Sequence, residues 1–170
     1  MTRMLVAFAT KGGTTQTIAE RIGARLTEAG HQVTVVAVQD NPDPAAYEAV
    51  VVGSGVLNGS VYPAGGEWVI ARQGHLLGRP VGVFAVCLSA LSEDPEARAA
   101  ALAYPDQLAA VLPEPPFASI VFPGTYDPGS RTWWERIVAR LNNAPKGDFR
   151  DWDKVDAWAR ELADRLAVQR

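Results

Sequence analysis

The sequence predicts a doubly wound α/β fold, a three-layer α/β/α domain whose five-stranded parallel sheet has the order 2-1-3-4-5. Short apolar runs recur along the 170 residues, and segments with helical periodicity separate them. Continuous apolar strands between helices are typical of a parallel sheet covered on both faces. Short, right-handed crossovers make this strand order the natural assembly. We therefore expect one domain over residues 1–170, with an insert at about 126–150.

The first half of the chain supplies three strands and two helices. Apolar runs at 4–9, 33–38 and 49–54 predict the strands, and Asn41-Pro42-Asp43-Pro44 breaks the chain before the third. A second helix is predicted over about 64–72. An i, i+4 apolar stripe predicts the first helix, which Gly30 ends. The members of that stripe are Ile18, Ile22, Leu26 and Ala29.

The second half supplies two strands and the last helices. The strands are predicted at 81–87 and 119–122, and the segment 94–112 is helical in pattern but interrupted at Pro105. Asp151 or Asp153 can cap a final amphipathic helix. Its apolar face comprises Trp152, Val155, Trp158, Ala159, Leu162 and Leu166.

Composition restricts the class of protein. Hydrophobic residues make up 48% and charged residues 21%, and the net charge is only −3, which favours a globular domain without a nucleic-acid partner. The lone cysteine, Cys87, fits a reducing compartment. No apolar run reaches the ~20 residues that cross a bilayer, and no signal peptide is evident. These features predict a soluble, cytoplasmic protein.

The strongest functional signal is the first strand-to-helix turn, Thr10-Lys11-Gly12-Gly13-Thr14-Thr15. Two glycines and several hydroxyls at a helix N-terminus are suited to an anion, because free N–H groups and the helix dipole point at it. A tight turn with Thr14 or Thr15 as an ordinary N-cap explains the same residues equally well.

Three other kinds of site are excluded: a dinucleotide site and a P-loop by the spacing of the glycines, and a phosphate-accepting receiver site by the absence of carboxylates. The turn has neither the G-x-G-x-x-G of a dinucleotide site nor the G-x-x-x-x-G-K-[ST] of a P-loop. A phosphate-accepting receiver domain needs carboxylates after strands one and three, where this chain has Phe8-Ala9-Thr10 and Val52-Gly53-Ser54. In a doubly wound sheet the ligand lies beyond the carboxyl ends of those two strands.

Several motifs together resemble a known family. The first turn is similar to the phosphate loop of flavodoxins. More narrowly, nearly the whole chain resembles the menaquinone-dependent protoporphyrinogen dehydrogenases, the flavodoxin-type protoporphyrinogen oxidases. Besides the first turn, the resemblance rests on Val51-Val52-Gly53-Ser54-Gly55-Val56 with Gly59, on Gly124-Thr125-Tyr126 with Arg131-Thr132-Trp133-Trp134-Glu135-Arg136, and on Asp151-Trp152. It implies a flavodoxin-like fold and FMN as cofactor.

The resemblance also implies which residues bind the flavin. Relatives have an aromatic near the position of Asn58, so stacking on the ring here depends on Tyr62. The phosphate is expected at Thr10, Lys11, Gly12, Gly13, Thr14 and Thr15. One face of the isoalloxazine is expected against Ser54, Gly55, Val56, Leu57, Asn58, Gly59 and Tyr62, and the other side along 87–91, including Cys87, Leu88 and Ser89.

No catalytic residue or metal site is predicted, because a flavin carries the electrons itself and no Cys/His/Asp cluster has metal-ligand spacing. His31 and His75 lie outside the expected ligand face, and Cys87 is expected to be a buried structural thiol.

The insert carries five basic and three acidic side chains. Trp134, Ile137, Val138 and Leu141 predict one face of a short helix, with Arg136 and Arg140 one turn apart on another. Such a helix suits a membrane interface or the propionates of a porphyrin, and it equally suits packing on the sheet with solvated arginines.

Three functions remain open. The first is an FMN-dependent oxidoreductase that passes electrons from a reduced tetrapyrrole or another donor to a quinone, cytoplasmic or peripheral at the inner face of the membrane. The second is a flavodoxin electron carrier that serves a redox partner protein and has no substrate of its own. The third is a binding protein of this fold that has lost its cofactor.

Overall fold

The computed structural model describes residues 1–126 and 147–168. Its main sheet has the order β2-β1-β3-β5-β6, all parallel, and a short arm, β4, pairs antiparallel with the end of β3. The predicted order 2-1-3-4-5 of the five long strands is thereby confirmed. The strands are β1 (Arg3–Ala9), β2 (Gln32–Ala37), β3 (Ala49–Leu57), β4 (Ser60–Val61), β5 (Val81–Val86) and β6 (Ala118–Phe122).

The helices agree with the predicted pattern, including the interruption before Pro105. The segment 94–112 contains two helices that meet at Ala103, because a proline can occupy the first turn of a helix but not its interior. The helices are α1 (Thr14–Glu28), α2 (Pro63–Ala71), α3 (Gln73–Leu76), α4 (Pro95–Leu102), α5 (Tyr104–Ala109) and α6 (Trp152–Val168). Over the described residues, no helix combines the length and apolar character needed to cross a membrane.

Two hydrophobic cores lie on opposite faces of the sheet. Alternate residues of β1 divide between them, with Met4, Val6 and Phe8 on one face and Leu5, Ala7 and Ala9 on the other. The first core is covered by α1 and α6, and the second by α2, α3 and α5. Strands buried on both faces must be apolar throughout, which is why they form continuous runs in the sequence.

The buried face of α1 corrects one prediction. Ile18, Ile22 and Leu26 are fully buried, but Ala29 is exposed and forms the C-cap, outside the stripe. Gly30 follows with a φ of +91°, the left-handed conformation that commonly ends a helix. The predicted end of the helix is therefore confirmed, while its predicted apolar face is one residue too long.

Charged side chains join α1 to α6. Arg21 Nε lies 2.7 Å from Asp156 Oδ1, and Arg25 Nε lies 3.0 Å from the same oxygen. The hydrogen bonds from Arg21 above all, together with the neighbouring Arg25, hold the pKa of Asp156 well below its usual range. Of the two predicted caps, Asp151 is the one seen, since its Oδ1 accepts the Lys154 N–H at 3.0 Å.

A second, two-stranded sheet pairs the two ends of the insert, and we call this sheet and the residues next to it the base of the insert. Its strands are β7 (Thr125–Tyr126) and β8 (Gly147–Asp148), which pair antiparallel. The Phe149 N–H donates to the Gly124 carbonyl at 3.1 Å, which fixes this ribbon next to the end of β6. The predicted helix with Trp134 and its neighbours lies outside the described residues.

Candidate functional site

The predicted site residues all lie at or beyond the carboxyl ends of β1, β3 and β5. Parallel strands bring these ends to one edge of the sheet, so the turn 10–13, the β3–β4 hairpin and the segment 87–91 meet there. The winding reverses between β1 and β3, which is where ligands bind in open α/β sheets.

The turn before α1 leaves its backbone open. Gly13 is the N-cap with a φ of +84°, and its N–H donates to Thr10 Oγ1 at 3.0 Å. No side chain caps α1, so the interpretation of Thr14 or Thr15 as N-cap is wrong. A Cβ added at Gly12 or Gly13 would have no described atom within 4 Å. The turn therefore has room beside its two glycines, and the first-turn N–H groups of α1, which have no partner within the helix, lie at the positive end of the helix dipole.

The base of the insert contacts this turn, a relation that sequence reasoning missed. The hydroxyls of Thr14 and Thr125 are hydrogen-bonded at 2.5 Å. Arg150 Nη1 donates to Thr17 Oγ1 at 2.9 Å, while its Nη2 lies 2.6 Å from Asp148 Oδ2. The Thr14–Thr125 and Thr17–Arg150 pairs join residues more than 100 positions apart, so no local pattern could have indicated them.

The loop after β3 is a tight hairpin that sequence analysis did not predict. Asn58 and Gly59 have φ values of +53° and +77°, the backbone of a type I′ turn, for which Asn-Gly is the favoured dipeptide. That dipeptide was the available signal. An aromatic residue rarely adopts this left-handed backbone, whereas asparagine adopts it more readily.

Gln107 of α5 holds the hairpin in place. Its Oε1 accepts hydrogen bonds from the Val61 N–H at 2.9 Å and from Ser60 Oγ at 3.1 Å. Its Nε2 donates to the Gly59 carbonyl at 3.4 Å. One side chain thus fixes both the turn and the returning arm.

Buried contacts fix the base of the hairpin. Ser54 is fully buried, and its Oγ donates to the Gly55 carbonyl and accepts the Tyr62 N–H. A Cβ at Gly55 would fall 2.6 Å from Tyr62 Cε2 and 3.2 Å from Thr15 Oγ1. The Tyr62 ring therefore lies on the Gly55 backbone, and Lys11 Nζ lies 5.6 Å from its centroid. The side chains of Ser54 and Thr15 hold the loop and expose almost no surface to a ligand.

The segment after β5 begins at Cys87, whose N–H donates to the Phe122 carbonyl at 3.0 Å. A 3₁₀ turn, Leu88–Leu91, follows. Cys87 is half-buried rather than fully buried. Burial raises the pKa of Tyr104, and the nearby Cys87 adds to that effect. Tyr104 Oη also lies 3.9 Å from a Cβ added at Gly59, so this ring, absent from the predicted site, is near both the hairpin tip and Cys87.

A cavity of about 340 Å³ lies beside the hairpin. Five predicted site residues line it, together with Gln39 and residues of the returning arm, but none of 12–15 and none of 87–89 does. The lining residues are Thr10, Lys11, Gln39, Leu57, Asn58, Ser60, Val61, Tyr62, Pro63 and Ala64.

The histidines lie away from this cavity. His75 Nδ1 is 2.9 Å from Asp43 Oδ1 in an exposed pair, and neither histidine lines the cavity. In residues 1–126 and 147–168, no group of three or more His, Cys, Asp or Glu side chains is arranged to hold a metal ion.

Comparison with known proteins identifies the family. Residues 5–153 match the model of the flavodoxin domain, and the chain therefore belongs to the flavodoxin family. No curated protein matches it.

Solved structures share the fold. Flavodoxin 2 from Bacillus cereus superposes with a TM-score of 0.61 at 18% identity, covering 96% of this chain and 99% of that one. Rubredoxin oxygen:oxidoreductase from Desulfovibrio gigas gives 0.57 at 13% identity, covering 98% of this chain and 36% of that one. The K13G flavodoxin of Fusobacterium nucleatum, solved bound to flavin mononucleotide, gives 0.53 at 15% identity, covering 72% and 69%.

Proposed function

We propose that this member of the flavodoxin family binds FMN at the carboxyl edge of its sheet and transfers electrons. The observation that supports this best is the turn before α1, where two glycines leave the backbone open and no side chain caps the helix. Uncapped N–H groups at the positive end of a helix dipole are a ready-made site for an anion such as a phosphate. The donors present thus fit the phosphate of FMN.

The chain's own residues position the cofactor. The N–H groups of residues 12, 14 and 15 and the hydroxyls of Thr10 and Thr14 hold the phosphate, and Thr125 orients the Thr14 hydroxyl. The hairpin and the segment 87–91 border the ring, with Tyr104 close to both. When bound, FMN supplies one- and two-electron transfer, while the protein supplies binding, orientation and exclusion of water.

Flavin titration tests this proposal. We expect FMN to bind and its fluorescence to be quenched, with riboflavin, which lacks the phosphate, binding more weakly. Failure of FMN to bind purified protein would refute the proposal and favour a fold that has lost its cofactor.

Thr125→Val tests the phosphate end. It removes the partner of the Thr14 hydroxyl without changing side-chain volume, and one hydrogen bond is worth about 0.5–1.5 kcal/mol, or about 2- to 10-fold in FMN affinity. Riboflavin affinity is expected to be unchanged. An equal loss for both flavins would mean that Thr125 supports the fold rather than the phosphate site.

For the reaction, we propose a protoporphyrinogen dehydrogenase-like activity with a quinone as acceptor. It is supported by the motifs that resemble that family, among them Gly124-Thr125-Tyr126 and Asp151-Trp152 at the base of the insert. A tetrapyrrole donor and a peripheral membrane location belong to the same proposal. The test is oxidation of protoporphyrinogen by FMN-loaded protein with a menaquinone analogue, and flavin-loaded protein without activity would refute the substrate.

A plain electron carrier is the second candidate. It is favoured by the match of almost the whole chain to structures of flavodoxins. A very low semiquinone/hydroquinone potential and rapid reduction by a flavodoxin reductase would support the carrier. A redox partner protein would then replace the quinone.

A further inference from the structure

The cavity beside the hairpin lies on the side away from the segment 87–91, which is expected to border the flavin. Gln39 follows β2 and residues 87–89 follow β5, and the strand order places these two strands on opposite sides of β3. Since the cavity takes Gln39 and excludes 87–89, it opens on the β2 side of the hairpin. It also excludes the glycines and threonines at 12–15. A flavin held by 12–15 and 87–91 would share with the cavity only the start of the turn, Thr10 and Lys11, and the hairpin.

Among the described residues that line this cavity, Lys11 carries the only positive charge. Leu57, Val61, Pro63, Ala64 and the Tyr62 ring form apolar walls, and no acidic side chain is among the lining residues. Lys11 is exposed, and its Nζ lies above the Tyr62 ring. An anionic group bound there would pair with the ammonium while its apolar part covered the walls.

The amide side chains narrow the ligand class. Asn58 and Gln39 add neutral hydrogen-bond donors beside the single positive charge of Lys11. That set matches one carboxylate, whereas a doubly charged phosphate would meet only one compensating cation. We propose that the cavity binds a small amphipathic carboxylate, its carboxylate at Lys11 and its flat apolar body on Tyr62 and Leu57.

The volume limits the ligand further. Small-molecule pockets typically measure about 300–1,000 Å³, and 340 Å³ lies at the small end. One or two fused rings fit, whereas a tetrapyrrole does not. The ligand is therefore distinct from the tetrapyrrole proposed as electron donor.

Calorimetric titration of FMN-loaded protein with 2-naphthoate, and with neutral 2-naphthamide as the matched compound, tests the proposal. We expect the carboxylate to bind at least about tenfold more tightly than the amide. Lys11→Met is expected to remove most of that preference while leaving amide binding similar, because it keeps the apolar stem and removes the charge.

A pair of phenylalanine substitutions on α2 locates the ligand. Ala64→Phe fills the cavity and should weaken 2-naphthoate binding by about tenfold or more, whereas Ile70→Phe, at an exposed position outside the lining, should change it by less than about twofold. Thermal unfolding confirms that both variants fold.

Three results would overturn the proposal. They are no binding of 2-naphthoate, binding that Ala64→Phe leaves intact, and displacement of 2-naphthoate from flavin-free protein when FMN is added. The proposal does not depend on the flavin. If the protein failed to bind FMN, the same titrations on flavin-free protein would still decide it, so the two failures are distinguishable.

Discussion

Replacing Gly13 with alanine isolates the left-handed turn that precedes α1. The added methyl would meet no described atom within 4 Å, so the cost is conformational alone. A residue with a Cβ pays about 1–2 kcal/mol in the left-handed region, and the less flexible unfolded chain returns about 0.4–1 kcal/mol. We therefore expect Gly13→Ala to lower the free energy of unfolding by about 1 kcal/mol.

Gly12→Ala is the matched control, since its surroundings are equally open and its φ is outside the left-handed region. We expect a change within about 0.5 kcal/mol. In urea, with a slope of about 2 kcal/mol/M, Gly13→Ala should lower the unfolding midpoint by about 0.5 M. Equal midpoints for the two variants would contradict the assigned backbone of the turn.

Three further substitutions test the framework around the site. Gly53→Ala places a Cβ 1.9 Å from Cζ of the fully buried Phe84 ring, so we expect a loss of about 2–3 kcal/mol in urea unfolding, part of which Phe84→Leu recovers. Asp156→Asn removes the negative charge that pairs with two arginines of α1. This pairing lowers the pKa of Asp156 in the folded protein, so its stabilisation is fully present above about pH 4, the usual pKa of an aspartate, and is lost as the pH falls through the lowered pKa of the folded state. The difference in urea midpoint between the variant and the unsubstituted protein should therefore be equal at pH 7 and 5 and become smaller below about pH 4. Gln107→Ala removes the acceptor of the Val61 N–H, and hydrogen exchange at that amide should accelerate while amides of β1 keep their protection.

The sequence predicted the sheet well because its strands are buried on both faces. Strands in that position must be apolar at every residue, and helices between them must be amphipathic, so both patterns are local. Errors occurred where local pattern ended. The strand predicted at 49–54 continues to Leu57, because the Asn58-Gly59 turn returns the chain antiparallel to it. The Asn-Gly dipeptide indicated a hairpin turn, but Gly53, Ser54 and Gly55 interrupt the apolar run before it.

The tertiary contacts of the site could not be predicted in the same way. Thr125 reaches Thr14 across 111 positions, and Gln107 reaches Val61 across 46. Such pairs depend on how far each strand extends and on how each helix is rotated, and neither property produces a periodic pattern in the sequence. Tyr104 was missed for a related reason, since it begins a helix and yet lies close to a hairpin tip more than 40 residues earlier.

Under the two proposals, Lys11 and its neighbours in one turn serve different ligands. Because α1 already directs N–H groups and the positive end of its dipole at the open turn, a phosphate there does not require the ammonium. The long stem of Lys11 instead carries its charge to the Tyr62 ring, which rests on Gly55 and cannot move inward without displacing backbone. The ring is thus a common wall, fixed on one side by the strand end and open to the cavity on the other. A ligand in the cavity would contact the same hairpin that borders the flavin groove. The two sites would therefore share the hairpin, whereas residues 12–15 and 87–89 do not line the cavity.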